Sequence, residues 1–236
     1  MPYEQLDYPG HKLLMEANTD IEKAFRVHAC QKEPWTISFI EAIPVGDWFW
    51  DIGACVGSYA LLAALKGLRV LAVEPVFQNY ATMGRNMALN NFLDRVVMIC
   101  AAVGKEEGWD WLHLGDLRSG AAGHTLGGGA RKRTHHKQLV TVVTLDGLES
   151  RTIQLGDTGI WLKIDVDGSE MAVLEGSDGL LRGSRLQVII IEMRLDLEED
   201  MTKFLSARGW ALAERFDERG GQKIGDICYG RFERKA

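Results

Sequence analysis

The chain has 236 residues, 46% hydrophobic and 25% charged, with a formal net charge of −6; that balance describes one soluble, mildly acidic domain with a substantial core and gives no electrostatic support for nucleic-acid binding. Its longest apolar runs, Tyr59 to Leu65 and Leu186 to Ile191, fall far short of the roughly 20 residues that cross a bilayer, so no membrane span is predicted. The four cysteines, Cys30, Cys55, Cys100 and Cys228, include no Cys-x-x-Cys pair, which argues against a zinc site or a disulfide framework and fits a reducing cytoplasm.

The opening residues, Met-Pro-Tyr-Glu-Gln-Leu-Asp, lack the basic start and apolar centre of a secretory signal. After this polar arm, Glu33-Pro34-Trp35-Thr36 reads as a helix start with proline in the first turn, and Ile37, Ile40 and Ile43 mark one face of a short helix. From Asp47 the chain alternates strand and helix. Trp48, Phe49, Trp50 and Ile52 make a buried strand that stops at Gly53, and a helix from Ser58 to Lys66 is apolar on nearly every side through Leu61, Leu62, Leu65, Ala60, Ala63 and Ala64. A strand at Arg69–Val73, a helix at Phe77–Asn90 with core residues Tyr80, Met83 and Met87, and a strand at Val96–Ile99 follow. Such alternation predicts a parallel sheet with right-handed crossovers.

Over about 105–157 the rhythm breaks into glycine-rich and polar sequence, an insertion with strands expected only at Asp110–Leu114 and Leu139–Val143. Order returns with a strand at Ile160–Ile164 ending in Asp165 and a helix at Ser169–Leu174. Next come a buried strand at Leu186–Ile191 ending in Glu192 and a helix at Leu197–Ala207 closed by Gly209. Trp210–Arg215 and Ile227–Phe232 then resemble an antiparallel pair.

The chemistry begins at Asp51-Ile-Gly53-Ala54-Cys55-Val-Gly57. Gly53 and Gly57 lack a Cβ, so the turn can adopt unusual dihedrals and let a ligand lie against backbone near a helix N-terminus. A dinucleotide site would show Gly-x-Gly-x-x-Gly, whereas Asp51 here would repel a pyrophosphate and tolerates the zwitterion and sulfonium of S-adenosylmethionine. Glu74, at the end of the next strand, is placed to accept hydrogen bonds from two ribose hydroxyls, a feature S-adenosylmethionine shares with NAD. An NAD-linked oxidoreductase is therefore the alternative from another class.

A second cluster is Lys163-Ile-Asp165-Val-Asp167-Gly168-Ser169-Glu170. Strand alternation puts Lys163 and Asp165 on one face, with Asp165 at the carboxyl edge where open α/β sheets bind ligands. Asp165 is accordingly a candidate general base facing the cofactor crevice, and Lys163 reads as a partner for a carboxylate beneath it. Asp167 and Glu170 divide evenly between helix capping and a site role. In the insertion, Ser119 and His124 are candidate substrate contacts, His124 a second candidate base, and Arg131–Lys137 reads chiefly as a solvated charge run. Asp165 and Glu192 end adjacent strands and are a start for a magnesium site, although Glu192 reads more simply as a substrate contact or a strand end, and no metal ligand is assigned.

These motifs, Asp51 to Gly57, Val73-Glu74-Pro75, Thr144-Leu145-Asp146 and Lys163 to Glu170, together resemble the FkbM family of S-adenosylmethionine-dependent methyltransferases over about two thirds of the chain, roughly Glu33 to Glu192. Cys55 stands where that family usually has Asn, and Asp167 where Glu is common. The resemblance implies an α/β, Rossmann-like class I methyltransferase fold: a seven-stranded, mostly parallel sheet with an antiparallel last strand and helices on both faces. Residues 1–46 would be an arm and helix covering the cofactor side, and 47–236 the methyltransferase domain. It implies that Asp51, Gly53, Ala54, Gly57, Glu74, Ala102 and Asp165 bind the cofactor, with Ala101-Ala102-Val103 near the adenine. It favours O-methylation of a small molecule such as a sugar or secondary metabolite. A methyltransferase acting on nucleic acid or protein, with Arg131–Lys137 as its only local support, and a nonenzymatic cofactor-binding module remain alternatives. Acceptor identity and oligomeric state, a homo-oligomer included, stay open.

Overall fold

Seven strands form the central sheet: β1 (Trp48–Ile52), β2 (Arg69–Val73), β3 (Val96–Ile99), β4 (Ile160–Ile164), β5 (Leu186–Arg194), β6 (Trp210–Phe216) and β7 (Ile227–Arg234), in the order β6-β7-β5-β4-β1-β2-β3. The structure is a computed structural model and describes residues 2–127, 136–152, 158–219 and 222–235. From β3 across to β5 every neighbouring pair is parallel, and β7 runs antiparallel to both β5 and β6. The chain winds outward from β1 to β3, then returns to β4 and winds the other way. The strand order thus reverses between β1 and β4, where open α/β sheets form a ligand crevice at the carboxyl edge.

All five residues of β1 are buried, which is why its sequence shows no polar alternation. Phe49 enters a core formed with α1 (Pro34–Ala42), α2 (Ser58–Leu65) and α3 (Phe77–Leu89). Trp48, Trp50 and Ile52 face the opposite core, formed with α4 (Leu145–Thr152), α5 (Glu170–Glu175), α6 (Asp178–Arg182) and α7 (Glu198–Ser206). The period of two therefore puts Asp51 on the side of Phe49, beneath α2.

Several elements differ from the sequence expectation. The N-terminal arm carries an antiparallel hairpin, Tyr3–Gln5 with Leu14–Glu16, held to α3 by the Glu16 N–H donating to Asn86 Oδ1 (2.8 Å) and by Arg85 pairing with Glu16 (2.7 Å). Strands of three residues are too short to show a period in sequence. The helix expected over the cofactor side, α1, packs lower down. Trp35 stacks on Phe216 with centroids 5.5 Å apart, and Phe39 meets Phe49 and Trp161. The crevice is instead overhung by the segment before it, a π-type turn at Glu22–Arg26 and a one-turn helix at Ala29–Lys32.

The insertion is more ordered than two isolated strands. Ala102–Val103, Gly108–Leu114, Thr125–Leu126 and His136–Val143 form a four-stranded sheet. Its inner face packs Leu112, Leu114, Val140 and Val142 on Val76 and Ala102. Residues Arg131 to His135 of the basic run lie outside the described residues. Strand β5 continues through Glu192 to Arg194, so Glu192 lies within the strand, opposite Tyr229 of β7, and not at its end. All four cysteines are free thiols, and among the described residues no helix is long and apolar enough to cross a membrane.

Candidate active site

The turn after β1 is shaped by one very close approach. Gly53 has φ 84°, and a Cβ there would lie 1.8 Å from the Asp165 carbonyl oxygen, so no other residue fits without moving β1 away from β4. The Asp165 N–H donates to the Ile52 carbonyl (3.0 Å) and locks the two strand ends together. Cys55 holds the left-handed region at φ 50°. That region suits asparagine better than most residues, so Cys55 keeps a backbone shape its side chain does not favour. The compensating contact is Glu74: its Oε2 accepts from the Cys55 N–H (2.9 Å) and its Oε1 from the Val76 N–H (2.9 Å). Burial outweighs these bonds and pushes the Glu74 carboxyl up to about 7.

Three connected hollows open on this edge. One, of about 680 Å³ including the space open to solvent, is lined by Gly53, Glu74, Val76, Ala102, Leu112 and Asp165 among others. A second, of about 730 Å³, runs between Lys32, Asp165, Asp167, Glu192 and Tyr229. The third, of about 360 Å³, is closed against Ala54, Cys55, Ser58 and Tyr59. Asp165 and Arg26 border all three.

Below them lies a buried charge cluster. Register places Lys163 directly opposite Asp51; its Nζ is 3.0 Å from Asp165 Oδ2 and 3.8 Å from Asp51 Oδ1. Burial works against the Lys163 ammonium, but Asp165 and Asp51 outweigh it and hold its pKa above the usual value. Asp51, whose two oxygens accept no hydrogen bond among the described residues, is pushed by burial up to about 6 in spite of Lys163. Asp165 goes the other way: burial raises it, while Lys163, Lys32 and Arg26 bring it below the ordinary carboxylate value. Burial and the Asp165 charge together lift Glu192. The Tyr229 hydroxyl donates to Glu192 Oε2 (2.9 Å) and lies 3.4 Å from Asp165 Oδ2, so it bridges the two carboxylates.

The model of the methyltransferase FkbM domain matches residues 51–215, most of the chain, including the Gly53–Cys55 turn, Glu74 and Asp165 of this edge. The chain belongs to the FkbM methyltransferase family. Its fold is that of class I methyltransferases: it is similar to the methyltransferase domain of METTL16 (13% identity, 86% of this chain and 66% of that one, TM-score 0.51) and to a provisionally assigned rRNA methylase from Clostridium thermocellum (10% identity, 86% and 94%, TM-score 0.51). Among curated protein sequences none matches it significantly.

In this FkbM methyltransferase, Gly53, Ala54, Glu74, Ala102 and Asp165 converge on the connected hollows. Asp51 and Gly57 lie one layer deeper. Asp51 is fully buried, and a Cβ on Gly57 would meet Met83 and Met87 at 2.8 Å, so both support the turn and do not line the crevice. His124 lines the same hollow as Glu74 and Leu112, but its Nδ1 accepts from the Gly115 N–H (3.3 Å) and its Nε2 faces the Ala121 carbonyl (3.2 Å), which directs both ring nitrogens to backbone. Ser119 bonds Thr82 (2.7 Å). Asp167, at φ 57°, accepts from the Gly123 (2.7 Å) and His124 (3.3 Å) N–H groups and clamps the insertion to the crevice. Glu170 reaches back to the Gly168 (2.9 Å) and Val166 (3.2 Å) N–H groups, a capping role. Among the described residues no three His, Cys, Asp or Glu side chains converge as a metal set. Arg26, Lys32, Asn79 and Tyr229 escaped the sequence analysis. Only Tyr229 carried a signal, a tyrosine in the strand expected at Ile227–Phe232, and its place opposite Glu192 required the register.

Proposed function

We propose that the protein is an S-adenosylmethionine-dependent methyltransferase that methylates a hydroxyl of a small polar molecule. The observation that carries this reading is the meeting of two hollows at Asp165, one lined by Glu74, Val76, Ala102 and Leu112 and one walled by Glu192 and Tyr229. The residues fit the cofactor. Glu74 offers a carboxylate anchored by two backbone N–H groups, Val76, Ala102, Val103 and Leu112 supply an apolar wall for a purine, and Asp165 places negative charge where a sulfonium is welcome.

When bound, S-adenosylmethionine supplies an electrophilic methyl group. Glu74 accepts hydrogen bonds from the ribose hydroxyls. Asp165, kept ionised by Lys163, orients the acceptor hydroxyl between the two hollows and accepts its proton, a role worth about 10²–10⁴ in rate. The Tyr229 hydroxyl, between Asp165 and Glu192, can relay that proton: it takes the proton from Asp165 as it gives its own to Glu192, which leaves Asp165 ionised again and Glu192 neutral. The remainder of the acceleration comes from holding both reactants at near-attack distance.

Calorimetric titration with S-adenosylmethionine, S-adenosylhomocysteine and NAD tests the reading. Binding of both adenosyl ligands and not NAD is expected, and binding of NAD alone overturns it. An acceptor screen with labelled methyl groups should begin with hydroxylated small molecules and include RNA, and full activity after chelation would remove a magnesium role for Asp165 and Glu192.

A further inference from the structure

We propose that Arg26 reads the amino-acid end of the cofactor, its guanidinium pairing with the methionyl carboxylate; this rests on S-adenosylmethionine being the cofactor. Arg26 is fixed at both ends. Its carbonyl accepts from Ser58 Oγ (3.0 Å), the first residue of α2, and its Nε donates to the Gly120 carbonyl (2.8 Å) in the insertion. The side chain is thereby stretched across the Gly53–Cys55 turn, between the N-terminal arm and the insertion. Its terminal amines pair with no carboxylate or carbonyl among the described residues, yet Arg26 borders all three hollows.

A guanidinium held this way through Nε, with both terminal NH2 groups left over, is preorganised for a planar, bidentate anion. Its position selects which anion. The smallest hollow lies directly between Arg26, the Gly53–Cys55 turn and Ser58, where the positive end of the α2 dipole also favours negative charge. An acceptor entering beside Glu192 and Tyr229 approaches from the far side of Asp165. The same hollow is bordered by Asp165 and Glu33, paired with Lys163 (3.0 Å) and Lys32 (2.9 Å), so the charges on its other wall are already balanced, and Arg26 is the group there that calls for an anion.

The test compares S-adenosylhomocysteine with 5′-methylthioadenosine, which keeps the adenosyl thioether and lacks the amino acid. In Arg26→Ala, affinity for S-adenosylhomocysteine should fall by about 10- to 100-fold while 5′-methylthioadenosine changes by less than about threefold, and Arg26→Lys should recover part of the loss. An equal loss for both ligands would mean that Arg26 only braces the insertion loop and would overturn the proposal. So would unchanged affinity for both, which would assign the guanidinium to the acceptor. Wild-type protein that binds neither ligand overturns the cofactor reading itself. Unfolding midpoints of the variants within a few degrees of wild type establish that each is folded.

Discussion

The floor of the crevice and its cover are built by different means. Gly53, Asp51, Lys163 and Asp165 are strand residues or strand ends, placed by a parallel register that the whole sheet enforces. The cover, residues 19–26 and 119–124, carries no strand across the crevice. It hangs on single side-chain bonds between distant parts of the chain: Thr19 to Ser119, Arg26 to Gly120, Asn79 to Gly120 and Ala121, and Asp167 to Gly123. A floor shared by the sheet resists change, whereas a cover tied at a few points can open without unfolding the domain.

The sharpest way to break the floor is Gly53→Ala, which drives a Cβ into the Asp165 carbonyl and strains a positive φ. A loss of about 3 kcal/mol or more is expected in denaturant unfolding. Lys163→Met removes the ammonium that lies between Asp51 and Asp165 and should cost about 3–5 kcal/mol near neutral pH. Both carboxyls then have folded pKa values above their unfolded ones, so the folded state binds the extra protons and stability falls as pH rises. The deficit should therefore shrink when unfolding is measured near pH 5, and adding Asp51→Asn should recover part of it.

Asp165→Asn separates chemistry from binding. Turnover of an identified acceptor at saturating cofactor should drop by about 10²–10⁴, a larger loss than the one in S-adenosylhomocysteine affinity, to which Asp165 also contributes from the hollow it shares with Arg26. Because the Asp165 charge helps lift Glu192, the pH profile of the residual activity should move to lower pH. Full turnover would remove Asp165 from proton transfer. Glu74→Gln is milder. The folded carboxyl, at about 7, binds protons that the unfolded chain has lost, so stability declines as pH rises from the ordinary glutamate range to about 7. The amide should therefore abolish that decline towards pH 8, while its NH2 group no longer accepts one of the Cys55 and Val76 N–H bonds and S-adenosylhomocysteine binding weakens. The smallest effect belongs to the cover. Asn79→Ala, which frees Gly120 and Ala121, should cost about 1 kcal/mol and speed proteolysis between residues 115 and 124.

The same contrast explains what could be read without coordinates. The order of the central strands and the placing of Glu74 and Asp165 at their ends follow from hydrophobic runs of four to six residues stopped by glycine or an acid, a signal carried entirely by near neighbours. Pairing partners 37 to 100 residues apart carry no such signal: nothing near Arg26 points to Gly120, and nothing near Ser119 to Thr82. Asp51 illustrates a subtler limit. Its position in the motif was evident, but whether it meets the ligand or Lys163 depends on which face of β1 lies under α2, and a strand buried on both faces conceals that choice.

The most direct measurement is amide hydrogen exchange with and without saturating S-adenosylhomocysteine. Protection should concentrate at residues 53–57, 74–76 and 101–103 of the floor and at 119–124 and 22–32 of the cover, leaving the outer strands at 108–111 and 139–143 unchanged. Saturated protein with no protection at 53–57 and 74–76, or with protection confined to the outer small sheet, would contradict a cofactor site between floor and cover.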